Sequence, residues 1–236
     1  MTHYVFDPPA NPVVKVEGED LYFPVTRVFC VGRNYEAHAK EMGSEVDREE
    51  PWYFNKSAHM IQRAAPADSA RQPYPPGTEN YHHEMEMVVA IGKGGFRIPQ
   101  EKALEHVYGY ACGLDMTRRD LQAVAKEKRR PWDIGKDVEN AAVIGEITPA
   151  TKCGHPTTGR ISLSVNGEMR QDQDLSDLIW SVPEIIAHLS GLYHLMPGDL
   201  IYSGTPAGVG PVVAGDKLVG HIDGLQDLQL AISDSE

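Results

Sequence analysis

Apolar residues in this chain come in strand-length bursts, and glycine, proline or a turn pair closes almost every one. That pattern constrains the fold more than any other feature. Residues 84–91 end on the apolar run MVVAI and stop at Gly92-Lys93-Gly94-Gly95; residues 107–114 (VYGYACGL) suit a buried strand. Residues 161–165 and 168–173 flank Asn166-Gly167, the pair preferred in two-residue hairpin turns. Three further short runs, 200–202, 217–222 and 228–232, lie between glycine turns in the tail. Helical spacing is confined to three segments. One covers 35–42, with Asn34 as its N-cap; another starts at Thr117-Arg118-Arg119-Asp120 and stops by Pro131. The last has Ser181 near its cap, Pro183 in its first turn and an apolar face of Ile185, Ile186, Leu189 and Leu192, with Gly198 punctuating its end. Residues 64–80, rich in Pro, Gly, Arg and Gln, read as a surface loop, and the proline-rich residues 1–24 as an extended arm. Strands without regular βαβ alternation predict an α+β fold of mixed β architecture, not a doubly wound sheet.

Charge and motifs then exclude whole classes of function. Acidic residues outnumber basic ones 34 to 22, for a net charge of −12. Affinity for DNA, RNA or anionic membranes rests on clustered Lys and Arg, and the one dense basic run, 126–130, reads as the solvated end of a helix. No GxGxxG follows a strand and no GxxxxGK[ST] occurs. Cys30, Cys112 and Cys153 are too few and scattered for a disulfide framework or a CxxC zinc pair, and no apolar run approaches the ~18 residues of a membrane span. The N-terminus lacks the basic and apolar regions of a signal peptide, so a cytoplasmic location is expected.

The residues that carry chemistry begin with His82-His83-Glu84-Met85-Glu86. Residues two apart on a strand share a face, so Glu84 and Glu86 would stand side by side, repelling unless a cation lies between them or one is protonated. An exposed strand end with both acids solvated is the plain alternative. Asp115, at the end of a buried run, either caps the next helix or joins the pair, and three carboxylates would suit Mg²⁺ or Mn²⁺. His82 or His83 would favour zinc, but no second histidine at metal spacing supports it, and Cys153-Gly154-His155 has no partner pair. On a helix His38 and Glu41 share a face, the arrangement of an imidazole base held by a carboxylate, or else an ordinary surface pair. Lys136 after Trp132-Asp133-Ile134-Gly135 is a surface snorkeller, or an enolate-stabilising cation if it lies near the metal. The loop 203–210 is a plain connection, or a backbone cradle for a carboxylate to which Thr205 adds its hydroxyl.

Taken in order, GRNYEAH from Gly32, HHEMEM from His82, GLDMTRRDLQ from Gly113, WDIGK from Trp132 and SGTPAGVGPV from Ser203 resemble the motifs of the fumarylacetoacetate hydrolase family. The resemblance runs from about Val25 to the C-terminus, so residues 25–236 would form one catalytic domain. It implies a mixed β-roll of the family's C-terminal-domain type, usually dimeric. It also implies Mg²⁺ or Mn²⁺ on Glu84, Glu86 and Asp115, His38 as the water-activating base with Glu41 as its partner, and Lys136 in the active site. Gln122 and Thr205 match residues that touch the bound acid. The implied reaction is hydrolytic C–C cleavage of an acylpyruvate, a 2-oxo acid, and the match is most similar to members that turn fumarylpyruvate into fumarate and pyruvate in gentisate-type aromatic breakdown. A second substrate carboxylate needs a cation, for which Arg33, Lys56 and Arg119 are candidates. Residues 33–50 would close as a lid. Oxaloacetate decarboxylation on the same site and a non-catalytic metal- and acid-binding module are the rival readings.

Overall fold

The computed structural model describes residues 3–41, 43 and 48–235. Its frame is an eight-stranded mixed sheet. From one edge the strands run Tyr53–Lys56, Arg27–Val31, Asp199–Tyr202, Met85–Ile91, Val107–Asp115, Ala142–Ile144 and Ile61–Arg63, with Thr148–Pro149 also paired to Val107–Asp115. Two pairings are parallel, Asp199–Tyr202 on Arg27–Val31 and Ala142–Ile144 on Ile61–Arg63; the others in the sheet are antiparallel. A second, five-stranded sheet follows the order Glu168–Asp174, Arg160–Val165, Lys217–Ile222, Leu228–Ser233 and Ala70–Pro73. Asn166 and Gly167 turn its first hairpin with φ of +53° and +83°, the left-handed pair that such a turn demands. The result is the expected mixed β-roll.

Met85–Ile91 is buried along its whole length because both faces of the sheet are covered. Met85, Met87, Val89 and Ile91 pack with Ile161, Leu163, Leu218 and the helix Val182–Leu192, while Val88 and Ala90 pack on the other side with Leu200 and Tyr202. A strand covered on both faces needs no polar alternation, so Glu86 is an exception that calls for a reason. The second face is closed by a hairpin of Val13–Lys15 and Tyr22–Pro24, which inserts Val14, Val16 and Phe23. The arm is therefore extended only over residues 3–12; beyond that it is part of the core.

The short helices lie where strands leave the sheets: α1 (Glu36–Glu41), α2 (Arg119–Glu127), α3 (Asp133–Lys136), α4 (Ala150–Cys153) and α5 (Val182–Leu192). Ser181 donates from N and Oγ to Glu184 Oε2 at the start of α5, but Leu192 is 61% exposed. The helix also ends six residues before Gly198, whose φ of +98° brings its α-carbon against Pro24 O. At α2 the expected capping box is absent. Thr117 Oγ1 donates to Asp115 O and residues Thr117–Arg118 pair with Tyr81–His83 as a strand, while Asp120 accepts from Thr78 Oγ1 and Glu79 N. The surface-loop reading of 64–80 fails at Ala70–Pro73, which pairs in parallel with Leu228–Ser233 and buries Gln72 against Tyr81 Oη and Asn140 O. No helix among the described residues is long and apolar enough to cross a membrane.

Candidate active site and metal centre

The chain breaks from one sheet to another at Glu84. Tyr81–His83 belongs to a three-stranded sheet with Thr117–Arg118 and Gly210–Val212, and Met85–Ile91 to the large one. Glu86 lies opposite Gly113 on the neighbouring strand, and Asp115 N donates to Glu84 O at 2.9 Å. This register brings residues from two separate stretches to one point. Carboxylate oxygens of Glu84, Glu86 and Asp115 all fall within 4.8 Å of one another, and the three residues are 5%, 2% and 0% exposed.

Three cations surround the triad. Lys136 Nζ donates to Glu84 Oε2 at 2.7 Å and Asp115 Oδ2 at 2.6 Å. Arg119 donates to Glu84 Oε1 and, at 2.6 Å, to Gln122 Oε1. Lys56, wholly buried, donates to the carbonyls of Met116 and Lys136 and pairs with Asp115 Oδ1 at 2.9 Å. That last contact lacks hydrogen-bond alignment, so Asp115 Oδ1 keeps its lone pairs uncommitted. Burial raises the Glu84 pKa, but Lys136 and Arg119 outweigh it and hold the carboxyl below its ordinary range. Glu86 goes the other way. Burial, then the charges of Asp115 and Glu84, push it well up, against a single donor, Gly204 N at 2.7 Å. A buried acid facing two like charges, beside an uncommitted carboxylate oxygen, is an all-oxygen donor set suited to a hard divalent cation. Lys136 would then stand beside the ion.

His38 lines the same cleft. His38 is buried on α1, with Nδ1 3.2 Å from Glu41 Oε2. Burial lowers its pKa, and Glu84 and Glu41 offset this only in part, which favours the neutral imidazole. Both Glu41 oxygens also accept from Gly208 N at 3.2 Å. The loop after Tyr202 thus touches Glu86 of the triad through Gly204 and Glu41 through Gly208. Gly204 has φ +102°, and a Cβ there would sit 2.5 Å from Asn34 Cβ, so only glycine fits. Asn34 does not cap α1 with its side chain. Its amide donates to Trp180 O and Ser203 O and accepts from Trp180 N, tying the root of α1 to this loop. Of the 33–50 stretch expected to act as a lid, Met42 and residues 44–47 lie outside the described residues.

Thr205, Gln122 and Arg33 line the same cleft. Lys56 does not reach it, which corrects its reading as a substrate cation: a lysine fully enclosed beneath Asp115 is a structural strut. His82 and His83 are also outside the triad, hydrogen-bonded to Asn80 and Gln171, and Cys153 and His155 bond elsewhere. Two residues were missed from the sequence. Gln171, on an inward position of a polar-looking strand, accepts from Met85 N and donates to Thr205 Oγ1 and Pro206 O, leaving the Thr205 proton free. Lys126, half-buried at the cleft mouth, is not a solvated helix end; its seven-residue spacing from Arg119 was the available signal.

A mixed β-roll that carries a buried carboxylate cation site beside a fixed imidazole defines a class of metal-dependent hydrolases. The chain belongs to the fumarylacetoacetate hydrolase family, whose C-terminal domain matches residues 27–233. It is 51% identical over 197 residues to a fumarylpyruvate hydrolase of a Ralstonia species, covering 83% of this chain and all of that one. It is 38% identical over 209 residues to the mitochondrial oxaloacetate tautomerase of Mus musculus, covering 89% of this chain and 92% of that one. The crystal structure of fumarylpyruvate hydrolase from Pseudomonas aeruginosa in complex with Mn²⁺ and pyruvate superposes with a TM-score of 0.96 at 50% identity. That match covers 98% of this chain and 100% of the other.

Proposed function

We propose that this chain hydrolyses an acylpyruvate, with fumarylpyruvate as substrate and fumarate and pyruvate as products. The observation that carries the reading is His38, held by Glu41, in one cleft with the Glu84–Glu86–Asp115 triad. The relative at 51% identity over its full length and the Mn²⁺- and pyruvate-bound neighbour support the substrate. Mg²⁺ or Mn²⁺ on the three carboxylates would hold the 2-oxo acid end and draw electron density from its carbonyl.

The chain's own residues do the rest. Gln122 and Thr205 donate to the substrate carboxylate. His38 Nε2 takes a proton from water while Glu41 fixes the ring, and the hydroxide adds to the acyl carbonyl carbon. Collapse breaks the bond from that carbon to the adjoining methylene. The acyl half leaves as a carboxylic acid that gives up its proton to solvent, the bonding electrons pass into the pyruvate enolate, and the Lys136 ammonium faces its developing charge. Protonated His38 returns its proton to the methylene carbon, giving pyruvate and restoring the base.

As working surroundings we infer a cytoplasmic homodimer serving gentisate-type aromatic breakdown. Exposed Phe96, Leu192, Tyr193 and Met196 supply apolar surface for self-association. The test is a spectrophotometric assay with fumarylpyruvate, acetylpyruvate and oxaloacetate, with and without EDTA. Loss of the fumarylpyruvate enol absorbance only without chelator supports the reading. Turnover of oxaloacetate alone, surviving His38→Ala, refutes it in favour of decarboxylation or tautomerisation. No turnover of any acylpyruvate by Mg²⁺-loaded protein would leave a binding module.

A further inference from the structure

The cleft that holds the carboxylate triad is also lined by Arg33, Trp52, Lys126 and Trp132. Arg119, Gln122 and Lys126 follow one another at helical spacing on α2 and all line it. Arg119 is committed to Glu84 and Gln122. Arg33 and Lys126 form no ion pair among the described residues, and Arg33 instead stacks its guanidinium 5.8 Å from the ring centre of Trp52. Trp52 meets Trp132 edge to face at 5.0 Å, and Trp132 meets Phe54 at 6.1 Å. Phe54 in turn lies 4.8 Å from Lys136 Nζ, so an aromatic wall runs from Lys136 to Arg33.

Burial, and then the charges of Arg33 and Arg119, lower the Lys126 pKa. Half-buried like charges kept close without a counter-ion are costly unless an anion arrives between them. We propose that Arg33 and Lys126 form the subsite for the far carboxylate of a dicarboxylic acyl chain, with Trp52 and Trp132 packed on the planar carbons between. The inference rests on the acylpyruvate reading and assigns its substrate class: an acyl group ending in a carboxylate. Arg33 and Lys126 are thus specificity-determining residues, distinct from those that hold the 2-oxo acid end.

The experiment compares kcat/KM for fumarylpyruvate and acetylpyruvate in wild type, Arg33→Ala, Lys126→Ala and Lys126→Arg. Loss of one charge-assisted contact lowers the fumarylpyruvate-to-acetylpyruvate ratio by roughly tenfold to a hundredfold in each alanine variant. The change falls mainly on KM, and Lys126→Arg recovers most of it. A ratio within twofold of wild type, or equal losses on both substrates, overturns the proposal. Titration of the Mn²⁺-loaded protein with fumarate reads the subsite without turnover. Binding at least tenfold weaker in the alanine variants supports it even if wild type cleaves neither substrate, an outcome that would sink the hydrolase reading alone. Equal fumarate binding in all variants overturns the subsite.

Discussion

Replacing Lys56 with methionine removes one charge and three contacts but keeps the aliphatic stem that fills the space between Tyr53–Lys56 and α3. The lost partners are Asp115 Oδ1 at 2.9 Å, Met116 O at 3.0 Å and Lys136 O. Each carbonyl left without a donor in the interior costs about 1–3 kcal/mol. Breaking a buried ion pair costs about 3–5 kcal/mol in all. Asp115 retains Lys136, so the sum belongs at about 3–5 kcal/mol and not beyond it. For a chain of 236 residues this lowers the Tm by roughly 6–20 °C, at about 2–4 °C per kcal/mol. The assay is thermal and urea unfolding in excess Mn²⁺, paired with kcat/KM on fumarylpyruvate and acetylpyruvate. A strut predicts lost stability with both substrates affected alike. A Tm within about 2 °C of wild type, a change of less than ~1 kcal/mol, combined with a selective rise in KM for fumarylpyruvate, would refute the argument and restore Lys56 as a substrate cation.

Three further outcomes are expected. Because burial holds the His38 pKa below its ordinary value, kcat/KM should lose activity only as pH falls below ~6.5. Glu41→Gln removes a group that raises that pKa, so the acid limb should move lower still, with kcat reduced by roughly 10²–10⁴ if ring orientation matters as proposed; an unmoved limb counts against the pair. Glu86 has a folded pKa raised above its unfolded value, so in EDTA its contribution to stability is present at low pH and is lost as pH rises above ~4.3. Glu86→Gln should therefore raise the metal-free Tm at pH 7 while weakening Mn²⁺ binding by calorimetry, and a lower metal-free Tm contradicts this. Gln171→Ala strands Met85 N and Pro206 O and should cost about 2–4 kcal/mol in urea unfolding, with a raised KM through the loosened Thr205.

Much of the framework could be read locally. The Asn166-Gly167 hairpin, the buried run before Asp115 and the helix start at Ser181 each depend on residues within a few positions of one another, where backbone preference and side-chain period decide the outcome. Glu84 and Glu86 sit two apart, so their closeness could be read locally, although Glu84 falls at the break between two strands. Local patterning thus specified a strand-rich α+β chain with two neighbouring acids, and the family motifs pointed to a roll and to Asp115 as the third acid.

What only the tertiary structure decided is who stands behind and beside those acids. Ala70–Pro73 pairs with a strand about 160 residues away, and no local signal distinguishes such a partner from a loop. The residues flanking Lys56 (YFNKS) and Lys126 (AVAKE) do not tell the two roles apart. One is sealed under Asp115 because Tyr53–Lys56 closes the edge of the sheet, and the other opens on the cleft because α2 turns it there. Burial and charge environment come from packing between distant segments, so the same side chain becomes a strut or a ligand only once the chain has closed around it.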